Sequence, residues 1–234
     1  MIIAGLQKTT LIDYPGKLSC IVFLAMCNFR CPWCYSSELV LPIKIAKQPR
    51  LDEKEFFDFL RQRQGLLEGV VICGGEPTVN KDLPQFIQKI KNLGFAVKLD
   101  TNGSNPEMLK SLAEQKLIDY VAMDIKASLN NPAYQNLLGE GVQFSDIQKS
   151  VEFLKNGNLD FEFRTAVVNT IHKKEEFLEI AKWIGGENIK YYLQNFLPTK
   201  TIDPEFEKIK PFPKEFLEGI VKEISPHFKT CQLR

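Results

Sequence analysis

The sequence is poor in histidine and has no excess charge of either sign: two histidines occur in 234 residues, and 30 basic side chains against 29 acidic ones leave a formal charge of +1. That balance excludes the broad basic footprint of a nucleic-acid binder or of a protein held on an anionic membrane. No apolar run approaches the roughly 20 residues that a membrane-spanning helix requires. The opening stretch, Met1-Ile-Ile-Ala-Gly-Leu-Gln-Lys8, lacks the basic segment, apolar core and small-residue cleavage site of a signal peptide. The expectation is a cytoplasmic, reducing setting, in which the six cysteines are thiols or metal ligands rather than disulfides. Repeats, low-complexity tracts and linkers are also missing, so one domain is expected over residues 1–234, with a core over about 18–196 and a tail over 197–234. Neither histidine is placed for catalysis. His172 opens a polar helix start and His227 lies in the tail, and both are expected to face solvent.

What is present is an ordinary apolar content of 44%, patterned as short β-rich runs between longer segments of helical period. Strands are predicted at Leu18–Leu24, Val70–Cys73, Phe95–Leu99, Tyr120–Met123, Phe161–Val168 and Tyr191–Phe196. Helices are predicted at Asp52–Arg63, Leu83–Asn92, Glu107–Gln115, Asp146–Asn156 and Lys174–Ile184, with a further short one at Lys214–Ile224 in a proline-bearing tail. This alternation implies parallel βα units, hence an α/β fold built as a partial (βα)₆ barrel. It is too short for a closed eight-strand barrel of about 250 residues. Asp13-Tyr-Pro-Gly16 is a turn signal that would close a short N-terminal hairpin. Polar segments follow the strands, where a parallel sheet directs its function.

The first of these is Cys27-Asn-Phe-Arg-Cys31-Pro-Trp-Cys34, with spacing C-x₃-C-x₂-C. Three thiolates so close in sequence can wrap one soft-metal centre, and thiolate is the ligand that iron–sulfur clusters take. A structural zinc site closes its tetrahedron with four protein ligands, and no fourth cysteine or histidine stands nearby. Three ligands on a four-iron cluster leave one iron for an exogenous group.

With Trp33 in the aromatic place of this loop and Gly74-Gly-Glu-Pro77 after the second strand, the chain resembles the radical S-adenosylmethionine (SAM) superfamily. The upstream Leu6-Gln-Lys-Thr-Thr-Leu-Ile-Asp-Tyr-Pro-Gly-Lys17 is similar, more narrowly, to the activating proteins of anaerobic ribonucleoside-triphosphate reductase. The resemblance runs from about Ala4 to about Phe196. It implies a [4Fe-4S] cluster on Cys27, Cys31 and Cys34 that reductively cleaves SAM to a 5′-deoxyadenosyl radical, which makes a glycyl radical on a protein substrate, the anaerobic ribonucleotide reductase. An electron donor such as a flavodoxin or ferredoxin is implied as a second partner.

The same resemblance implies that Gly74, Gly75 and Glu76 bind the cofactor's amino group. It assigns Asp100, Thr101 and Asn102 of Asp-Thr-Asn-Gly103, and Asp124 and Lys126 of Asp-Ile-Lys, to cofactor contact, with Trp33 and Tyr35 on the cluster loop. Read from the residues alone, Asn102 or Asp124 could equally cap a helix. On the fifth strand, Glu162 and Arg164 share one face and Phe161 and Phe163 the other. Arg164 suits a ribose or carboxylate through its fork of donors, with a Glu162–Arg164 pair as the alternative. Gln194 is a candidate for the adenosine rim. Cys20 and Cys73 read as small core residues. Two features depart from the family pattern: Met26 stands where glycine usually precedes the first cysteine, and Tyr35-Ser36 where His-Asn often follows the third. Two rival functions remain open. One is a radical SAM enzyme acting on a small molecule, such as a deazapurine synthase; the other is a one-cluster electron carrier or zinc-binding module, which would need four protein ligands.

Overall fold

A computed structural model describes residues 1–132, 134 and 142–234. Its strands form one sheet in sequence order: β1 (Ile3–Thr10), β2 (Ser19–Leu24), β3 (Gly69–Gly74), β4 (Ala96–Thr101), β5 (Tyr120–Asp124), β6 (Asp160–Val167), β7 (Gly186–Asn195) and β8 (Phe228–Leu233). The β1–β2 pair is antiparallel and every later pair is parallel. Parallel neighbours need crossovers. Here these are α3 (Glu53–Gln62), α4 (Leu83–Asn92), α5 (Pro106–Glu114), α6 (Phe144–Asn156), α7 (Lys174–Ile184) and α8 (Lys214–Ile224), with the short α1 (Ser37–Val40) and α2 (Pro42–Ile45) lying between the cysteine loop and α3. The six βα units from β2–α3 to β7–α8 are those the periodicity implied.

The helices form where caps and apolar spacing agree. Asp52 accepts a hydrogen bond from the Lys54 N–H at the start of α3, and Asn105 accepts one from Met108 at the start of α5. On α4, the buried positions Leu83, Phe86, Ile87 and Ile90 fall on one stripe, each stabilising the fold by about 1.5–3 kcal/mol through removal from water. These stripes pack on the outward residues of the strands, among them Val22, Leu24, Val70, Ile72, Val97, Leu99, Val121 and Met123, to make the main core. The alternate residues point the other way. Ile21, Val71 and Tyr120 form a small inner cluster with Tyr14, which comes from the β1–β2 hairpin. That hairpin turns at Tyr14-Pro-Gly-Lys17, where the Lys17 N–H donates to the Tyr14 carbonyl (3.1 Å) and Gly16 takes a φ of +74°, a value suited to the third position of a type II turn. Tyr14 is thereby tucked against Tyr120, ring centroids 6.1 Å apart, and closes the amino-terminal end of the barrel.

Strand β8 was not expected from the sequence. Phe228-Lys-Thr-Cys-Gln-Leu233 is half-polar and buries only Phe228, so it lacks the β-rich run that marked its partners. Its edge position explains this, since among the described residues β8 pairs with a strand on one side only. Arg234, just beyond it, reaches into the barrel to Glu162, donating from Nη1 (2.8 Å) and Nη2 (3.1 Å), while Tyr120 Oη donates to the same carboxylate (3.0 Å). The alternative pairing of Glu162 with Arg164 does not form; both lie on the barrel face as the alternation requires, but each has its own partners. Among the described residues no helix is long and apolar enough to cross a membrane.

Because Glu162 is 1% exposed, removing its cation leaves a buried charge with one neutral donor. Arg234→Ala is expected to destabilise the fold by about 2 kcal/mol, seen as a lower urea midpoint at unchanged slope, and adding Glu162→Gln should recover part of that loss.

Candidate active site at the barrel mouth

The cysteine loop leaves β2 at its carboxyl end. Met26 takes a φ of +81° there, a left-handed conformation that costs a residue with a Cβ roughly 1–2 kcal/mol. Two bonds hold it: its N–H donates to the Leu39 carbonyl (2.8 Å), and its carbonyl accepts the Glu76 N–H (2.7 Å). The departure from glycine at this position is thus met by the same backbone conformation that glycine would adopt freely. Cys31 is buried, Cys27 and Cys34 half-buried, and Cys27 Sγ accepts the Phe29 N–H at 3.3 Å. Burial pushes the thiols up, to about 12 for Cys27 and about 11 for Cys31, and upward for Cys34; the Lys126 ammonium opposes this at all three. Thiolate ligands would therefore release protons on binding metal.

Among the described residues no three His, Cys, Asp or Glu side chains converge on a site for a single ion. Three cysteines on one loop match the ligand set of an iron–sulfur centre, whose thiolates bind separate irons. The loop after β3 completes the setting. A Cβ on Gly75 would lie 2.0 Å from the Met26 carbonyl oxygen and 3.3 Å from Cys27 Cβ, so glycine is what lets the two loops touch.

Glu76 is 1% exposed, and its carboxylate points into the protein. Oε1 accepts the Thr78 N–H (3.1 Å), the Thr78 hydroxyl (2.6 Å) and the Thr101 hydroxyl (2.7 Å), and Oε2 accepts the Asn102 N–H (2.6 Å). Glu76 thus braces the loop after β3 against the loop after β4. Burial still raises its pKa, since desolvation outweighs the four donors. Asn102 continues the chain of contacts: its amide donates to Asn28 Oδ1 (3.0 Å) on the cysteine loop, and Asn28 donates to the Ser104 hydroxyl (2.8 Å). Asn102 caps no helix; that part falls to Asn105.

Inside the mouth, charged side chains from three strand ends form one lattice. Arg164 on β6 donates from Nη2 to Asp100 on β4 (3.1 Å) and from Nε to Asp124 on β5 (3.1 Å). Lys126 donates to Asp124 at 2.9 Å, and Lys98 to Asp100. Burial opposes ionisation of Asp124, yet Lys126 and Arg164 outweigh it and hold the carboxyl at about 2. Three cations face two carboxylates, so the lattice carries one uncompensated positive charge and favours an anionic group. Its remaining donors and acceptors are fixed before any ligand arrives.

The other expected residues lie around this lattice. Thr101 is buried against Glu76. Trp33 is 4% exposed, set into the core beside Phe206 and His172 rather than on the rim. Tyr35 is exposed, and Gln194 is half-buried on β7 opposite Ala166. His172, expected in solvent, is 1% exposed. Its Nδ1 accepts the Val168 N–H (3.0 Å) and its Nε2 lies 2.9 Å from the Lys126 carbonyl. It was misread because a polar flank hid a residue that the chain folds back under Trp33. His227 is exposed, as expected. Lys98 and Asn28 were missed. Lys98 had a signal, a lone cation two residues before Asp100 in an apolar strand; Asn28 had none.

The chain is similar in sequence and fold to several known proteins. The family model described as "Radical SAM superfamily" matches residues 21–184. A protein of Methanocaldococcus jannaschii provisionally described as a glycyl-radical enzyme activating enzyme is 35% identical over 223 residues, 92% of this chain and 87% of that one. The 7-carboxy-7-deazaguanine synthase of Thermococcus kodakarensis is 30% identical over 129 residues, 47% of this chain and 50% of that one. In fold, the chain matches the crystal structure of Streptococcus suis SuiB bound to S-adenosylmethionine with a TM-score of 0.64 at 17% identity, over 92% of this chain and 51% of that one. The chain thus spans about half the length of the solved structure.

Glu76→Ala is expected to cost about 3 kcal/mol or more, because it leaves several buried donors without an acceptor. Glu76→Gln should cost less, and thermal unfolding of the two variants in parallel checks the order.

Proposed function

The chain belongs to the radical SAM superfamily, and from that premise we propose that it activates a glycyl-radical enzyme, the anaerobic ribonucleoside-triphosphate reductase. Members of the superfamily bind a [4Fe-4S] cluster and S-adenosylmethionine. When bound, the pair supplies reductive cleavage of the sulfonium carbon–sulfur bond, yielding methionine and a carbon radical that removes a hydrogen atom from the substrate.

The residues of this chain position that chemistry. Cys27, Cys31 and Cys34 hold the cluster and leave one iron for the cofactor. Gly74 and Gly75 bring backbone close to the cofactor's amino group. Arg164, Asp100, Asp124 and Lys126 take its carboxylate and ribose, using the extra positive charge of the lattice. Glu76 acts one step removed, by fixing Thr101 and Asn102. Tyr35 and Gln194 line the rim, while Trp33 supports the cysteine loop from beneath. No side chain need transfer a proton.

The observation that carries the activase reading is the similarity to the M. jannaschii protein, which extends over 92% of this chain, joined to the Thr-Leu-Ile-Asp-Tyr-Pro-Gly signature of the hairpin. An electron donor of the flavodoxin or ferredoxin class completes the set of partners. A small-molecule substrate is the second reading, favoured by the similarity to the deazaguanine synthase, but that similarity covers less than half of the chain.

The test is anaerobic reconstitution of the full chain, counting of iron and sulfide, and an assay for 5′-deoxyadenosine with dithionite and SAM. About four irons and cofactor cleavage are expected of the wild type, with cleavage lost in Cys31→Ala. The reductase subunit, added to the assay, should then show the electron paramagnetic resonance signal of a glycyl radical. Cleavage without that signal would favour the small-molecule reading; no cleavage would remove both.

A further inference from the structure

Lys126 lies two residues beyond the end of β5, past the last register pair of the β5–β6 ladder, Asp124 with Arg164. A residue so placed loses the strand's restraint on its backbone, yet both of its peptide groups are held by side chains. Its N–H donates to Tyr134 Oη (3.2 Å), and its carbonyl accepts from His172 Nε2 (2.9 Å). The Val168 N–H points at His172 Nδ1 (3.0 Å), so that nitrogen is the acceptor and the ring's proton sits on Nε2. Both side chains are 1% exposed. The imidazole stacks on Phe177 of α7 (centroids 5.7 Å, 30°) and turns an edge to Trp33 (6.4 Å, 69°), the residue just before Cys34. One ring thus ties the end of β5, the end of β6, helix α7 and the cysteine loop together.

We propose that His172, with Tyr134, is a positioning residue that fixes the backbone of Lys126 and so holds its ammonium between Asp124 and the cysteine loop, where the cofactor binds. This rests on the reading that Lys126 faces the cofactor. Burial lowers the His172 pKa, which keeps the ring neutral and the carbonyl of Lys126 paired with a donor. The arrangement parallels the outer hydrogen bonds that orient metal ligands and whose loss typically weakens a site by about 10–100-fold.

His172→Phe keeps the ring packing and removes both hydrogen bonds; His172→Gln restores a donor toward Lys126. The experiment measures SAM binding by equilibrium dialysis to the anaerobically reconstituted full chain, with iron and sulfide counted in each sample and the reduced cluster's paramagnetic spectrum recorded with and without SAM. The expected result is wild-type iron content, binding weakened by about 10-fold in His172→Phe, an altered spectrum with SAM, and substantial recovery in His172→Gln. In a Lys126→Ala background, His172→Phe should cause no further loss, because the group it positions is gone. Wild-type binding by His172→Phe, or a loss of the same size in the Lys126→Ala background, would overturn the proposal and mark His172 as a packing residue only. If His172→Phe does not fold, Tyr134→Phe, which deletes only the hydroxyl facing the Lys126 N–H, is put through the same pair of backgrounds with the same outcomes. Wild-type binding by Lys126→Ala alone would instead refute the reading of Lys126, and the proposal with it.

Discussion

The barrel mouth depends on one guanidinium. Arg164 bridges Asp100 and Asp124, half-buried carboxylates on the ends of two successive strands, and without it the two like charges would lose the one cation they share. Lys98 and Lys126 extend the bridge at either end. Buried ion pairs add little net stability, because desolvation offsets their attraction. What this lattice provides is order: donors and acceptors already aimed into the mouth, with one positive charge to spare.

Everything else around the mouth serves to bring the loops to that lattice. The parallel register sets Asp124 opposite Arg164. Glu76 joins the loops after β3 and β4, Asn28 joins the second of these to the cysteine loop, and His172 joins Lys126 to Trp33 on that same loop. Each link is a buried or half-buried polar group with hydrogen-bond partners, the condition under which such networks hold a single geometry. At the other end Tyr14 closes the barrel, so the lattice is open toward the cysteine loop and closed beneath.

The sequence made much of this legible because parallel βα units write themselves strongly: period-two runs, amphipathic helices and polar segments at strand ends. The thiol spacing, the Gly74-Gly75 approach and the acids of the lattice were all visible there. Strand β8 was not, since an edge strand with one buried residue carries no run. The inward turn of Glu76 and the burial of His172 were hidden for a different reason. Both are decided by which neighbour folds over a polar side chain, and pattern along the chain does not encode that. Arg164 was placed on the correct face by alternation, but its choice of Asp100 and Asp124 over Glu162 depended on Arg234, 70 residues away.

The central claim is that three thiolates leave one iron of a four-iron centre to the cofactor at this lattice. Its most direct measurement is electron–nuclear double resonance of the reduced, reconstituted chain with SAM labelled with nitrogen-15 at the amino group. The account predicts a hyperfine coupling between the label and the cluster, indicating direct ligation. A cluster signal with SAM bound but no such coupling would contradict it.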